Sequence, residues 1–182
     1  MNELIDIVTD NGLKTGETVL KSVAHRDGIF HQTVHIWFYT KNHQILLQQR
    51  GKDKNTFPLL FDVSVAGHVH AGETIEAAAL REIEEEIGLL VSKNGLKKIG
   101  VFKSIQNHHP ELIDAEFHHT FIAELKAPLQ ELIKQESEVE DLQLTSLIKF
   151  SEETWGMANP KKYVPHSATY YKTVIKAIKK EL

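Results

Sequence analysis

The sequence predicts an α+β chain folded as an α/β/α sandwich around a mixed β-sheet. Strand-type stretches dominate the first half. The turns between them imply hairpins, hence antiparallel or mixed pairing. Helical periodicity is confined to interspersed segments, from Glu73 to Ile87 and from about Ser167, which does not fit the regular alternation of a doubly wound sheet. With 182 residues, 41% of them hydrophobic, the chain buries a sizeable core. It reads as one domain over residues 1–182, since it shows neither an internal repeat nor a Pro/Ser/Gly linker.

Each element has its own local cause. Leu4 to Val8 is β-type, and Asp10-Asn11-Gly12 supplies a hairpin turn because Asn and Gly tolerate positive φ. Thr33 to Tyr39 and Ile45 to Gln49 form a second hairpin, split by Lys41-Asn42-His43. Here Val34, Ile36 and Phe38 alternate with His35, Trp37 and Tyr39. Ile75, Ala78, Ala79, Ile83 and Ile87 then recur near the 3.6-residue period, and Gly88 is placed to stop the helix. Leu96 to Phe102, His118 to Ala123 and Leu142 to Phe150 read as strands. Ser151 followed by Glu152 and Glu153 reads as the cap and acidic first turn of a short helix. A loop spans Asn159 to Pro165, and the C-terminal helix carries Lys172 to Lys180 on its polar face.

Charge and composition exclude several functions. Lys and Arg number 21 against 25 Asp and Glu, a net charge of −4, whereas a general nucleic-acid binder carries a basic excess. No nucleic-acid polymer is expected as a partner. The absence of cysteine removes disulfides, thiolate metal sites and cysteine nucleophiles, so a metal must use oxygen or imidazole ligands. The first residues lack the pattern of a secretory signal, and no apolar run is long enough to span a bilayer. A cytoplasmic address is the expectation, and a homodimer stays open.

The chemistry concentrates on the Glu73 to Ile87 helix. Glu82, Glu85 and Glu86 stand at i, i+3 and i+4, so their carboxylates share a face while Glu84 points elsewhere. Like charges at this spacing cost roughly 0.2–0.5 kcal/mol per pair. The helix dipole also disfavours acids toward the C-terminal end. A solvated acidic face is the bland explanation; a bound divalent cation would account for the cluster.

Gly67, Glu73, Arg81-Glu82, Ile83, Glu85-Glu86, Gly88 and Leu89 match every position of G-x5-E-x7-R-E-U-x-E-E-x-G-U, where U is a bulky aliphatic. The stretch from Gly67 to Leu89 resembles the Nudix box. The resemblance implies the Nudix fold and Mg²⁺- or Mn²⁺-dependent hydrolysis of a diphosphate linked to another moiety, such as a nucleoside diphosphate derivative or an isoprenoid diphosphate. By the same resemblance Glu82, Glu85 and Glu86 are the metal ligands, joined by the Ala66 carbonyl. Glu82 or a glutamate from a later loop is the general base. Glu73 and Arg81 complete the catalytic set as an internal ion pair that orients the helix. Gly67 and Gly88 serve the backbone, for close approach and as a C-cap.

Outside the box, Ala24-His25-Arg26-Asp27-Gly28 with His31, Leu46 to Arg50, Ala66-Gly67-His68 and Asp114-Ala115-Glu116-Phe117 resemble the isopentenyl-diphosphate isomerase-like branch of that superfamily. The resemblance implies that His25, His31, His68, Asp114 and Glu116 lie about a metal or substrate, with Glu116 as an auxiliary ligand and a second metal at the histidines. The isomerases use a cysteine beside the box glycine, where this chain has Ala66. With the box intact, hydrolysis outranks isomerisation, and a non-catalytic ligand-binding module is a third reading. Arg50, Lys52 and Lys54 are candidates to meet the diphosphate, and Trp37 or Phe57 to stack on the attached group. Glu136 and Glu138 are candidates for a loop acid over the metals. His43, His108 and His109 read as surface.

Overall fold

The computed structural model describes residues 3–154 and 161–182. Strands β1 (Leu4–Val8) and β2 (Lys14–Leu20) pair as an antiparallel hairpin. Its turn holds Gly12 at φ 79°, as the Asn-Gly signal anticipates. The short helix α1 (Lys21–Asp27) follows and ends on Gly28 in the left-handed conformation, with the Gly28 N–H bonded to the Ala24 carbonyl.

The main sheet contains β3 (His31–Thr40), β4 (Gln44–Arg50), β5 (Phe61–Asp62), β6 (Val65–His68), β7 (Lys97–His109), β8 (Leu112–Glu124) and β9 (Val139–Ser146). Its path is β5-β4-β3-β8-β7, with β6 also on β3 and β9 also on β4. β3 and β8 run parallel while the other pairs are antiparallel, so the sheet is mixed.

Strand β3 explains the layering. Val34, Ile36 and Phe38 pack with Ala78, Ala79, Ile83 and Ile87 of α2 (Ile75–Ile87). Trp37 and Tyr39 pack on the opposite face with Leu147 and Phe150 of α3 (Leu147–Thr154) and with Tyr170, Tyr171, Val174, Ile175 and Ile178 of α4 (Ala168–Lys179). Both faces of the strand are buried because helices cover both faces of the sheet.

Some expectations need correction. The strand read over Leu142 to Phe150 ends at Ser146, and Leu147 to Phe150 begin α3. A short apolar run does not distinguish strand from buried helix. Ser146 Oγ accepts the Lys149 N–H at 3.1 Å, so the cap is Ser146 and Ser151 lies inside the helix. β7 and β8 are 13 residues each, longer than their apolar signals, because Ser104 and Gln106 face a polar cavity. Trp37 is fully buried, donating its Nε1–H to the Tyr170 hydroxyl, and offers no stacking surface. Ser167 caps α4 as expected, its Oγ accepting from the Tyr170 N–H. Part of the Asn159 to Pro165 loop lies outside the described residues.

Candidate functional site

Helix α2 begins at the Thr74 cap, whose hydroxyl accepts the Ala77 N–H, and ends at Gly88, φ 66°. Its apolar face fixes its rotation: with Ile83 and Ile87 in the core, Glu82 and Glu86 are buried beside them. Glu85 stays half exposed, with 51% of its side chain open, and Glu84 points to solvent. The required shared carboxylate face is therefore present, with Glu82 and Glu86 directed against β6. A Cβ on Gly67 of that strand would lie 1.9 Å from the Glu82 carboxyl carbon. Only a residue without a side chain leaves room there, and the need is close approach rather than a special φ.

Glu86 Oε2 accepts Gln48 Nε2–H at 2.9 Å and the Ala66 N–H at 3.2 Å. Burial raises its pKa to about 7 against the opposing Gln48 hydrogen bond, and the neighbouring Glu82 adds to the rise. Burial also raises Glu82, against the pull of Arg81.

Arg81 uses its guanidinium as a hub. Nε and Nη2 hold both Glu73 oxygens at 3.0 Å, Nη2 also reaches the His68 carbonyl at 2.8 Å, and Nη1 donates to Glu82 at 2.7 Å and Glu85 at 3.1 Å. Glu73 additionally accepts the His70 N–H. The pair ties the loop after β6 to the helix and aims two of the three box carboxylates.

A second group forms across the same cavity. Parallel pairing sets His31 beside Glu116, and antiparallel pairing sets Thr33 beside His68, while α1 brings in His25. Ligand-type atoms of His25, His31, His68 and Glu116 all lie within 4.8 Å of one another. His31 Nδ1–H donates to the Ile29 carbonyl at 2.8 Å, which turns the buried Nε2 toward Glu116 Oε1 at 3.4 Å; against the effect of burial, Glu116 raises His31 above its usual value. His25 Nε2 and His68 Nε2 are 3.0 Å apart. Asp114 stands behind His25 Nδ1 at 2.7 Å and also takes His108 Nε2 at 2.8 Å. His108 is thus a half-buried partner of the cluster and not a surface residue.

Both groups border one cavity of about 770 Å³. Arg50, Lys54 and Phe57 also line it. Arg50 is engaged by Asp62 and Thr56, and Lys54 pairs with Glu138, which reaches the cavity as well. Lys52 and Glu136 are exposed and are not brought to the cavity. His43 and His109 are surface residues, as expected. The sequence reading missed Gln48, His108, and the cavity residues Asp62 and His166. It also gave His35 and His118 no role beyond strand membership. Their only sequence signal is polarity at every second position of β3 and β8, which resembles ordinary strand alternation.

The family model for the NUDIX domain matches residues 29–167. Nudix hydrolase 3 of Arabidopsis thaliana is 36% identical over 141 residues, which cover 75% of this chain but 18% of the plant protein, so this chain matches a small part of it. An uncharacterized Nudix hydrolase of Clostridium acetobutylicum is 31% identical over 97% of both chains. An isopentenyl-diphosphate Delta-isomerase of Streptomyces avermitilis is 32% identical over 70% of this chain and 64% of its own. The crystal structure of DR0079 from Deinococcus radiodurans superposes with a TM-score of 0.69 at 18% identity, covering 93% of this chain and 98% of that one. The unbroken box, running from β6 through α2 to Leu89 in a fold whose layers the solved structure shares, agrees with the sequence match over most of the chain: this protein belongs to the Nudix family.

Proposed function

We propose that this chain is a divalent-metal-dependent hydrolase that cleaves a diphosphate linked to another moiety. The observation that carries this reading is the wall of Glu82, Glu85 and Glu86, two of them buried as like charges, with Gly67 bare so that Glu82 fits. The donor set suits Mg²⁺ or Mn²⁺, which prefer carboxylate, carbonyl and water oxygens. These three residues with the Ala66 carbonyl would hold the ion. When bound, it supplies charge neutralisation for the diphosphate and acidifies water for attack. Arg81 holds Glu82 and Glu85 in place, Glu73 holds Arg81, and the base for the attacking water is Glu82 or Glu138, the later-loop glutamate that reaches the cavity. Arg50, and Lys54 on leaving Glu138, offer cations to the phosphate oxygens. Phosphate release with Mg²⁺ across nucleoside diphosphate derivatives, nucleotide sugars, dinucleotides and isoprenoid diphosphates tests the reading. Absence of release from every class would reject it.

The isomerase-like reading is favoured by the histidine–Glu116 group. It lacks a titratable atom at position 66, where the Ala66 methyl packs against the core that contains Trp37. The expected result with isopentenyl diphosphate is no transfer of isotope from labelled water into its carbon skeleton. Label at carbon would reinstate isomerisation, with Glu116 and His68 the first acids to examine.

The converging His25, His31, His68 and Glu116 atoms fit a second ion that tolerates imidazole, such as Zn²⁺ or Mn²⁺. Protein purified without chelator is expected to carry such a metal, and a His25→Ala, His68→Ala double variant to lose it. Equal metal content in both proteins would rule out the histidine site.

A further inference from the structure

The cavity has another wall, which touches the metal-type cluster only where His118 Nδ1 lies 3.4 Å from Glu116 Oε2. Parallel register sets Thr33 of β3 beside His118 of β8, and His35 follows two residues along β3 on the same face. The His35 and His118 rings stack with centroids 4.1 Å apart and planes 18° from parallel. His166, from the segment before α4, meets them edge-on at 5.4 and 6.0 Å. All three line the cavity.

Each ring is fixed from behind by one nitrogen. His35 Nδ1 meets the Tyr170 hydroxyl at 2.7 Å, His118 Nδ1 meets Thr33 Oγ1 at 2.8 Å, and His166 Nε2 donates to Asp62 Oδ1 at 2.8 Å. The opposite nitrogen of His118, Nε2, is buried without a hydrogen-bond partner, in a residue only 5% exposed. His118 Nδ1 also lies 3.4 Å from Glu116 Oε2, so of its two ring nitrogens Nε2 is the one left for a ligand.

A hydrocarbon lying on this wall would leave the buried His118 Nε2 without a partner. A hydroxyl or heteroatom would pair with His118 Nε2, and a flat ring would stack on imidazole. We propose that His35, His118 and His166 form a subsite for the organic group of the substrate, that this group is hydroxylated or heteroaromatic, and that the wall rejects isoprenyl chains. This rests on the reading of the chain as a diphosphate hydrolase.

The test compares kcat/KM with Mg²⁺ for nucleotide sugars, dinucleotides, dimethylallyl diphosphate and methyl diphosphate. The last carries the diphosphate with almost no organic group. At least one polar substrate is expected to exceed dimethylallyl diphosphate by about tenfold or more, because a site built for hydrogen bonding discriminates strongly against ligands that lack them. His118→Leu is expected to lower the ratio of that polar substrate to methyl diphosphate by about tenfold, and His118→Gln, which keeps a hydrogen-bonding group, to restore part of it. A preference for dimethylallyl diphosphate, or an unchanged ratio in His118→Leu, would overturn the subsite while leaving the hydrolase reading intact. If His118→Leu fails to fold, the wild-type preference decides. Failure to cleave any of these four, methyl diphosphate included, or any other nucleoside diphosphate derivative, would refute the hydrolase reading and the subsite with it.

Discussion

Replacing Glu86 by Gln is expected to reduce Mg²⁺-dependent hydrolysis by about a hundredfold or more, since the charge that would hold the cation is lost while the shape is kept. In the metal-free protein the same change is expected to stabilise the fold. The amide oxygen that replaces the carboxylate can still accept from Gln48 Nε2 and the Ala66 N–H, so no donor is orphaned. The buried charge beside Glu82 is removed. The wild-type carboxyl has a folded pKa of about 7 against a reference of 4.5, so between those values the folded state binds more protons than the unfolded chain. Stability therefore falls as pH rises from about 4.5 through 7, and above that the full penalty, on the order of 3 kcal/mol, is present. Melting in chelator should thus show Glu86→Gln above wild type at pH 8, with the gap closing as pH falls through that window. Full turnover at saturating Mg²⁺ would remove Glu86 from the ligand set, and a pH-independent gap would contradict the buried-charge account.

Arg81→Ala is expected to be the most destabilising single change at the site, by about 3 kcal/mol, because it leaves partly buried Glu73 and Glu82 without their cation. It also strips the hydrogen bond from the His68 carbonyl. Hydrolysis should fall as well, since Glu82 and Glu85 lose the group that aims them. Arg81→Lys should recover part of the stability and less of the activity. An ammonium restores charge, but it does not reach Glu73, Glu82, Glu85 and a carbonyl at once. Denaturant midpoints and turnover, measured on the same preparations, check this. A loss within about 0.5 kcal/mol for Arg81→Ala, the scale of ordinary surface changes, would show that the hub does not hold the helix.

The box was legible in the sequence because it is local. Glu82, Glu85 and Glu86 share a face by helix geometry alone, Gly88 stops the helix, and Gly67 and Glu73 sit at fixed separations from them. The mixed sandwich was legible from hairpin turns and the change of period at Glu73. The α3 boundary was not, because Leu147 to Phe150 are apolar in either conformation and only the Ser146 hydroxyl marks the turn into helix. The polar ends of β7 and β8 were hidden for a related reason: residues that face a cavity break the apolar pattern that announces a strand.

By itself the sequence determined the family pattern, the carboxylate helix and the absence of any thiol. Spacing along one helix is fixed at 1.5 Å per residue, so it can be read without the rest of the chain. Only the tertiary structure decided what the histidines do. His31 meets Glu116 across 85 residues of chain through parallel pairing of β3 and β8, His25 reaches His68 from a separate helix, and His35 stacks on His118. Strand register and helix placement set those distances, and they follow from packing two cores on one sheet, a property of the whole chain that no local window contains.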